Sequence, residues 1–177
     1  MFEYVWRDLL DALRYYPYAL AAGGVFFVLF LLFRRKKNVP FFGKILFVMC
    51  VAVLLCMTLL FRESGGKKGM DFTLFSTWGI NARNNAFVIE NIILFIPYGF
   101  VTALAFPKLR NFFACSFFGL FTSIAIELIQ YTTQRGFFQI DDIITNGIGA
   151  MIGCILFWII YFPVWCRKKP KKGKKKS

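Results

Sequence analysis

The chain has 177 residues, of which 58% are hydrophobic and only 18% are charged. A soluble domain of this length is about half apolar and a quarter charged, so the composition excludes an ordinary soluble domain. Roughly 20 apolar residues in a helix cross the core of a bilayer. Five runs are long enough: about 17–33, 41–61, 87–106, 112–133 and 143–165. None alternates polar and apolar residues as the strands of a transmembrane β-barrel do. The sequence therefore predicts an all-α, polytopic membrane helix bundle of about five transmembrane helices.

The segments follow one another in a simple order. Residues 1–16 are predicted to form an interfacial N-terminal helix, because their large apolar side chains lie near one helical face; the alternative is an extension of the first span. Residues 17–61 form a transmembrane hairpin, whose first run is expected to be retained rather than cleaved as a signal peptide. Residues 62–86 form the longest loop, on the outer side, and its segment 71–80 is apolar enough to lie on the membrane surface. The remaining segments are a three-helix core at 87–165 and a basic cytoplasmic tail at 166–177.

The net charge of +13 is concentrated in three segments, at 34–44, 108–110 and 167–176. In a five-helix layout these segments lie on one side, which the positive-inside rule makes cytoplasmic. The N-terminus is then outside and the C-terminus cytoplasmic, in a multi-pass protein of the plasma membrane. The tail either anchors this topology or binds anionic lipid head groups. No nucleic-acid partner is expected, because the chain has no room for a folded reader.

Polar side chains recur at helical spacing in the last three predicted spans. The third span places Asn91 and Tyr98 on one face. The fifth begins with Asp141 and Asp142, and its Gly149-x-x-x-Gly153 spacing permits a close helix contact. The longest polar stripe runs along the fourth span and consists of Ser116, Ser123, Glu127, Gln130 and Gln134.

An ionisable side chain inside a span costs several kcal/mol and normally faces the interior of the bundle. Glu127 therefore needs a partner, for which Arg83 and Arg135 in the flanking loops are the candidates. One interpretation is that the polar residues are interhelical hydrogen-bond glue. The other is a polar cavity open to the outer leaflet, with the substrate-binding side chains Asn91, Tyr98, Gln130, Gln134, Asn146 and Arg83.

In the cavity interpretation, Glu127 exchanges a proton as a general acid or base. Asp141 and Asp142 supply oxygen ligands for Mg²⁺ or Ca²⁺, or else they only cap a helix. Arg135 binds a phosphate or carboxylate, or else it is a solvated loop residue. The chain has no histidine, and its five cysteines lack Cys-x-x-Cys spacing, so neither zinc nor haem is expected.

Two sequence blocks resemble the VanZ-like family. The first is N-I-I-L-F-I-P-Y-G-F, from Asn91 to Phe100. The second consists of E-L-I-Q from Glu127, then Arg135, then I-D-D-I-I-T-N-G-I-G from Ile140. The likeness covers about residues 70–160, with DFTLF in place of a family N-L-x-P-F loop and Gln139 in place of an extra aspartate. This resemblance implies a bacterial integral membrane protein linked to glycopeptide resistance, notably to teicoplanin, a lipidated antibiotic.

Three functional hypotheses result. The leading one is a protein that binds a lipid or lipid-linked envelope precursor from the outer leaflet and transfers or hydrolyses its head group. In it, Glu127 is the proton carrier, the Asp141–Asp142 pair holds a divalent cation, and Arg135 binds phosphate. The alternative is a non-catalytic envelope-protection protein that shields or sequesters the target of a lipidated antibiotic, or binds that lipoglycopeptide itself. A channel or transporter is disfavoured, because the first two predicted spans carry almost no polar side chains.

Overall fold

The computed structural model describes residues 2–12, 17, 28, 39–60 and 69–168. The long elements in this part of the chain are helices, which confirms the predicted all-α class. Helix α1 spans Phe2–Ala12, and α2 spans Val39–Leu55 and continues as a π-helical turn at Cys56–Leu60. The later elements are β1 (Met70–Asp71), α3 (Ala82–Ala105), a 3₁₀ turn (Pro107–Leu109), α4 (Phe112–Thr132), β2 (Phe138–Gln139) and α5 (Ile140–Lys168).

Within the described residues, four helical segments are long and apolar enough to cross a membrane: Phe42–Leu59, Ala82–Ala105, Phe112–Thr132 and Ile140–Tyr161. They correspond to the second to fifth predicted spans. The first predicted span, at 17–33, and most of the basic tail lie outside the described residues. The orientation of the bundle across the membrane stays a prediction.

The connections between the spans meet at two ends of the bundle. Residues 69–81 and 133–139, together called the loop end here, lie where α2 and α4 finish and where α3 and α5 begin. A short parallel pairing of β1 with β2 joins the two connections, with Met70 opposite Phe138 and Asp71 opposite Gln139. The end of α4 and the start of α5, which carry Glu127, Asp141 and Asp142, are therefore at the same end of the bundle.

Helices α3 and α5 cross at very close range. A Cβ on Gly149 would clash with the carbonyl oxygen of Ile92, and a Cβ on Gly153 with that of Ile96. Both clashes are with backbone atoms, which cannot move aside as a side chain can. The close contact predicted from the Gly149-x-x-x-Gly153 spacing is therefore confirmed, and it seats the start of α5 firmly beside α3.

Helix α1 lies against α3 at the loop end. The guanidinium of Arg83 stands 5.2 Å from the ring centre of Tyr4 and 4.5 Å from that of Phe87, which joins the two helices by cation–π contacts. Phe2 and Trp6 remain mostly exposed. These exposed side chains suit the interfacial position predicted for residues 1–16, which stays a prediction.

Candidate polar site at the loop end

The polar stripe of α4 is buried over its central part. Ser123, Glu127 and Gln130 are 0%, 2% and 1% exposed. Gln134 lies two residues beyond the end of α4, is exposed and has a positive φ of 56°. Ser116, near the other end of α4, donates to the carbonyl of Phe112 in its own helix. Sequence periodicity therefore predicted one continuous stripe, whereas the surrounding helices bury only three of its five members.

Helix α5 carries the facing polar side chains. The amide nitrogen of Asn146 donates to Ser123 Oγ at 2.8 Å, and the two helices run in opposite directions. One helical turn from this pair towards the loop end, α4 presents Glu127 and α5 presents Asp142. Asp142 is 4% exposed. The register of the two helices therefore places two buried carboxyl groups, those of Glu127 and Asp142, at the same depth.

Strand β2 lies next to Glu127 at the loop end. The backbone N–H of Gln139 donates to Glu127 Oε2 at 3.0 Å. Gln139 is one of the two positions at which the chain departs from the VanZ-like pattern. The contact with Glu127 comes from the main-chain N–H, which almost any residue at this position would provide. The departure therefore leaves this hydrogen bond to Glu127 intact.

Gln130 and Arg135 both reach the end of α2. Gln130 Nε2 donates to the Thr58 carbonyl at 2.9 Å, and an Arg135 guanidinium nitrogen donates to the carbonyl of Leu59. The last carbonyls of a helix have no partner within the helix, and these two side chains supply one. Gln130 Nε2 therefore makes an interhelical hydrogen bond, and Arg135 has one donor committed to the backbone.

Asp141 points in a different direction from Asp142, because consecutive residues of a helix are turned by about 100°. Its carboxylate accepts from the N–H of Phe75 at 2.6 Å and from the N–H of Thr77 at 2.9 Å, with Ser76 Oγ at 3.5 Å. Phe75 has a positive φ of 60°, which is an uncommon conformation for a bulky residue. Asp141 thus stabilises the 73–77 loop in a conformation that includes the positive φ of Phe75.

This loop network was missed in the sequence. Asp71 accepts from the N–H of Thr73 at 2.9 Å and from the Ser76 hydroxyl at 2.8 Å. The D-F-T spacing of an Asx turn was the available signal, but the partnership with Asp141 spans more than 60 residues and has no local signature.

Several buried polar atoms lack a hydrogen-bond partner among the described residues. They include Gln130 Oε1, Asn146 Oδ1 and Asn91 Nδ2. Buried polar groups in native proteins are nearly always paired, so each exception needs an explanation. Tyr98, by contrast, has its hydroxyl 2.6 Å from Thr122 Oγ1 and belongs to the core beside Phe95.

Two further observations concern metal ligands and the surroundings of α5. Within the described residues, no three histidine, cysteine, aspartate or glutamate side chains come together as metal ligands. On the other side of α5, an apolar pocket of about 330 Å³ opens between the loop, α3 and α5. Its lining is Phe75, Trp78, Val88, Ile92, Asp141, Ile144, Thr145 and Ile148.

These features define an integral membrane protein: a multi-pass helical bundle with a buried polar cluster at one end. A family model described as VanZ/LLP1 matches residues 47–161, and the chain belongs to this family. It is also 32% identical to Protein VanZ of Enterococcus faecium over 91 residues, which are 51% of this chain and 53% of that protein. The chain thus spans about half the length of that curated relative. No solved structure matches it significantly.

The family match confirms the VanZ-like resemblance of the two sequence blocks. Together with the four described spans, it identifies the chain as a VanZ-like cell-envelope protein that crosses the plasma membrane several times. Asn91, Glu127, Arg135, Asp142 and Asn146 all lie within the matched residues. Their roles as site residues stay predictions.

Proposed function

We propose that this protein binds a lipid or lipid-linked envelope precursor through its head group, in the polar site at the loop end, and acts on that head group. The observation that carries the proposal is the burial of Glu127 at the depth of Asp142 within membrane-spanning helices. Burying an ionisable group at this depth costs several kcal/mol, and such groups usually mark a functional site. Simple packing of α4 against α5 does not require two acidic side chains there.

Each nearby side chain has a role in this proposal. Glu127 carries the proton in a transfer or hydrolysis step. Gln130 Oε1 and Asn146 Oδ1, which lack partners, orient the head group by accepting its hydrogen bonds. Arg135 uses one donor on Leu59, and a guanidinium has five, so it retains donors for a phosphate. Arg83, at the start of α3, stacks on Tyr4 and Phe87, so it is not assigned a part in binding this group.

The proposed role in the cell is protection against a lipidated glycopeptide such as teicoplanin. The VanZ/LLP1 family match supports this assignment. So does the predicted orientation, in which the loop end faces the outer leaflet, where such an antibiotic and its precursor target meet.

The test is lipid mass spectrometry on cells that express the wild type, Glu127→Gln, Ser116→Ala or no protein, combined with growth in teicoplanin. Glu127→Gln keeps the shape of the side chain and removes its acid–base function. Ser116→Ala is the matched control on α4, because its hydroxyl bonds to the Phe112 carbonyl in its own helix and to no other described residue. We expect a lipid or precursor species that appears or disappears with the wild type and with Ser116→Ala, and reverts in Glu127→Gln at equal protein level.

A non-catalytic shielding function is the second candidate, and the loop favours it. Phe72, Phe75, Trp78 and Ile80 are all more than half exposed, and they form an apolar surface that suits a lipidated partner. This function predicts an unchanged lipidome and protection that survives Glu127→Gln but is lost in Phe72→Ser/Trp78→Ser. That combination of results would sink the head-group proposal.

A further inference from the structure

We infer that the pocket between the 73–77 loop, α3 and α5, called the α3–α5 pocket here, binds one acyl chain of a membrane glycerolipid. The inference deepens the proposed function, on which it rests for its purpose in the cell, because it adds a site for a lipid tail to the site proposed for a head group. The binding of a chain can be measured without any head-group chemistry.

The walls of the α3–α5 pocket are four aliphatic side chains within membrane-spanning segments. Val88 and Ile92 lie one turn apart on α3, and Ile144 and Ile148 lie one turn apart on α5. All four are β-branched and therefore stiff. Both helices begin at the loop end, so the walls run side by side from the loop end towards the middle of the bundle, for about 6 Å.

The pocket ends where α3 and α5 come into backbone contact. A Cβ on Gly149 would clash with the carbonyl oxygen of Ile92, and the lining includes no described residue beyond Ile92 on α3 or Ile148 on α5. Ile148 is 38% exposed, so the pocket is open at its side, from which a chain can enter. Its volume of about 330 Å³ lies within the range of roughly 300–1,000 Å³ that is usual for ligand pockets.

The 73–77 loop covers the pocket at the loop end. Phe75 and Trp78 complete the lining, and the N–H groups of Phe75 and Thr77 donate to the carboxylate of Asp141. Phe75 has the positive φ of 60°. Residues in such conformations persist where their surroundings hold them, and they cluster at ligand-binding sites. The contacts of Asp141 therefore give the pocket a preformed cover, as is usual at sites for small molecules.

The oxygens of the two polar wall residues are already hydrogen bonded within the protein. Both carboxylate oxygens of Asp141 accept from the 73–77 loop, and the Thr145 hydroxyl donates to the Asp141 carbonyl at 2.9 Å. The wall is thus a hydrocarbon surface that suits a chain without polar groups. An extended peptide fits it poorly, because within a membrane each N–H and C=O of a peptide needs a partner.

Trp78 indicates the direction in which the chain lies. Its side chain is 58% exposed at the loop end, and tryptophan favours the membrane–water interface. A chain between the walls then has its head-group end beside Trp78 and its tail end at the crossing of α3 with α5. This is the direction of the chains in the leaflet at the loop end, so a lipid of that leaflet enters without turning over.

The experiment follows the fluorescence of Trp78 in the full-length protein, purified in detergent, with Trp6, Trp158 and Trp165 replaced by phenylalanine. The probe is phosphatidylcholine with one dibromostearoyl chain, whose bromine atoms quench tryptophan on contact. The reference protein keeps Trp158 alone, which lies roughly 20 Å along α5 from Ile144. We expect saturable quenching of Trp78 and a linear, non-saturating response of Trp158. Phosphatidylglycerol with the same chain should bind within about threefold, because packing of the chain supplies the contacts.

Filling the pocket should displace the chain. In the Trp78 background, Ile144→Phe should weaken binding about tenfold, because the added ring occupies the space of the chain. Ile159→Phe is the matched control. It is the same substitution on the same helix, in a side chain that is 62% exposed and outside the lining, and it should bind like its parent. Ile148→Phe, at the open side, is the second filling variant if Ile144→Phe does not fold.

Three results would overturn the inference. They are a linear response of Trp78 like that of Trp158, an affinity unchanged by both filling variants, and an affinity that differs more than about tenfold between the two head groups. A pocket filled by another segment of this chain would give the first result. The proposed function fails separately, if the chain binds as expected but Glu127→Gln alters no lipid species. Lipid species that depend on Glu127, without saturable quenching of Trp78, would contradict the α3–α5 pocket alone.

Discussion

At the scale of single residues, the neighbouring aspartates at the start of α5 illustrate how position on a helix decides a role. Asp141 and Asp142 have the same side chain and nearly the same burial. The turn between them directs Asp141 to the amides of the 73–77 loop, whereas Asp142 lies on a different face of α5, at the depth of Glu127 on α4. A carboxylate that accepts two backbone N–H groups is a structural anchor, whereas a carboxyl group buried within a membrane-spanning bundle is a candidate functional group.

The pH dependence of the loop should follow Asp71. The N–H of Thr73, followed by the hydroxyl of Ser76, stabilises its carboxylate and holds the pKa below the ordinary value of 3.8. A carboxyl group with a depressed folded-state pKa stabilises the structure fully above its unfolded value, and this contribution is lost as the pH falls through the folded value. We expect the amide of Thr73 to lose protection from hydrogen exchange below pH 3.8.

The measurement is hydrogen exchange of peptides covering 72–78 between pH 5 and 3, with peptides of α5 as the internal reference. Asp71→Asn should show weaker protection at pH 5 and little change on acidification. An equal pH response in the wild type and Asp71→Asn would show that the effect does not come from Asp71.

At the scale of elements, the α3–α5 crossing is the contact on which the site depends. α5 carries Asp142 and Asn146, and its depth relative to α4 is set where it crosses α3. Small residues at such crossings allow backbones to approach in membranes, where packing and hydrogen bonds replace the hydrophobic effect between helices. A substitution at the crossing should therefore shift the polar side chains of α5 relative to those of α4. It should also destabilise the bundle.

Gly153→Ala should destabilise the protein by about 2 kcal/mol, because overpacking a tight contact costs typically 1–3 kcal/mol and the added Cβ meets the Ile96 backbone. Gly147→Ala is the matched control on the same helix. Its added Cβ meets the end of the Leu120 side chain, which can move, and alanine is the better helix former. Reversible unfolding in detergent measures both variants. Equal losses would show that backbone proximity at Gly153 is not limiting.

At the scale of the whole molecule, the described helices arrange their polar side chains asymmetrically. Glu127, Asp141 and Asp142 lie at the loop end, and the opposite connection carries Lys108 and Arg110. The positive-inside rule predicts that the opposite connection is cytoplasmic and that the loop end faces outwards. The proposed access to outer-leaflet lipids depends on this orientation.

Cysteine labelling in intact cells tests the orientation. In a variant without native cysteines, Thr73→Cys should react with a membrane-impermeant maleimide added outside. Lys108→Cys should react only after the membrane is permeabilised. Both side chains are exposed, so accessibility within the protein does not limit either reaction. The reverse pattern would move the polar site to the cytoplasmic leaflet and contradict the outer-leaflet part of the proposal.

Much of the architecture and part of the site could be predicted from local sequence. The four described spans agree with runs recognised by length and hydropathy, because a bilayer imposes the same requirement on every helix that crosses it. The buried part of the α4 stripe was recognisable because a polar group in a span is too costly to face lipid. The close contact of α5 with another helix could be predicted from the spacing of Gly149 and Gly153 alone.

Hydropathy and polar periodicity are sufficient to predict the class, a multi-pass helical membrane protein with a polar face on α4 and another on α5. They do not predict which residues of different segments are in contact. The hydrogen bond between Ser123 and Asn146 and the hydrogen bonds of Asp141 to the 73–77 loop depend on helix register and on contacts between distant segments. Hydropathy and periodicity are properties of each segment alone, whereas register is set by close packing between segments, at Gly153 against Ile96 and at Gly119 against Ala150.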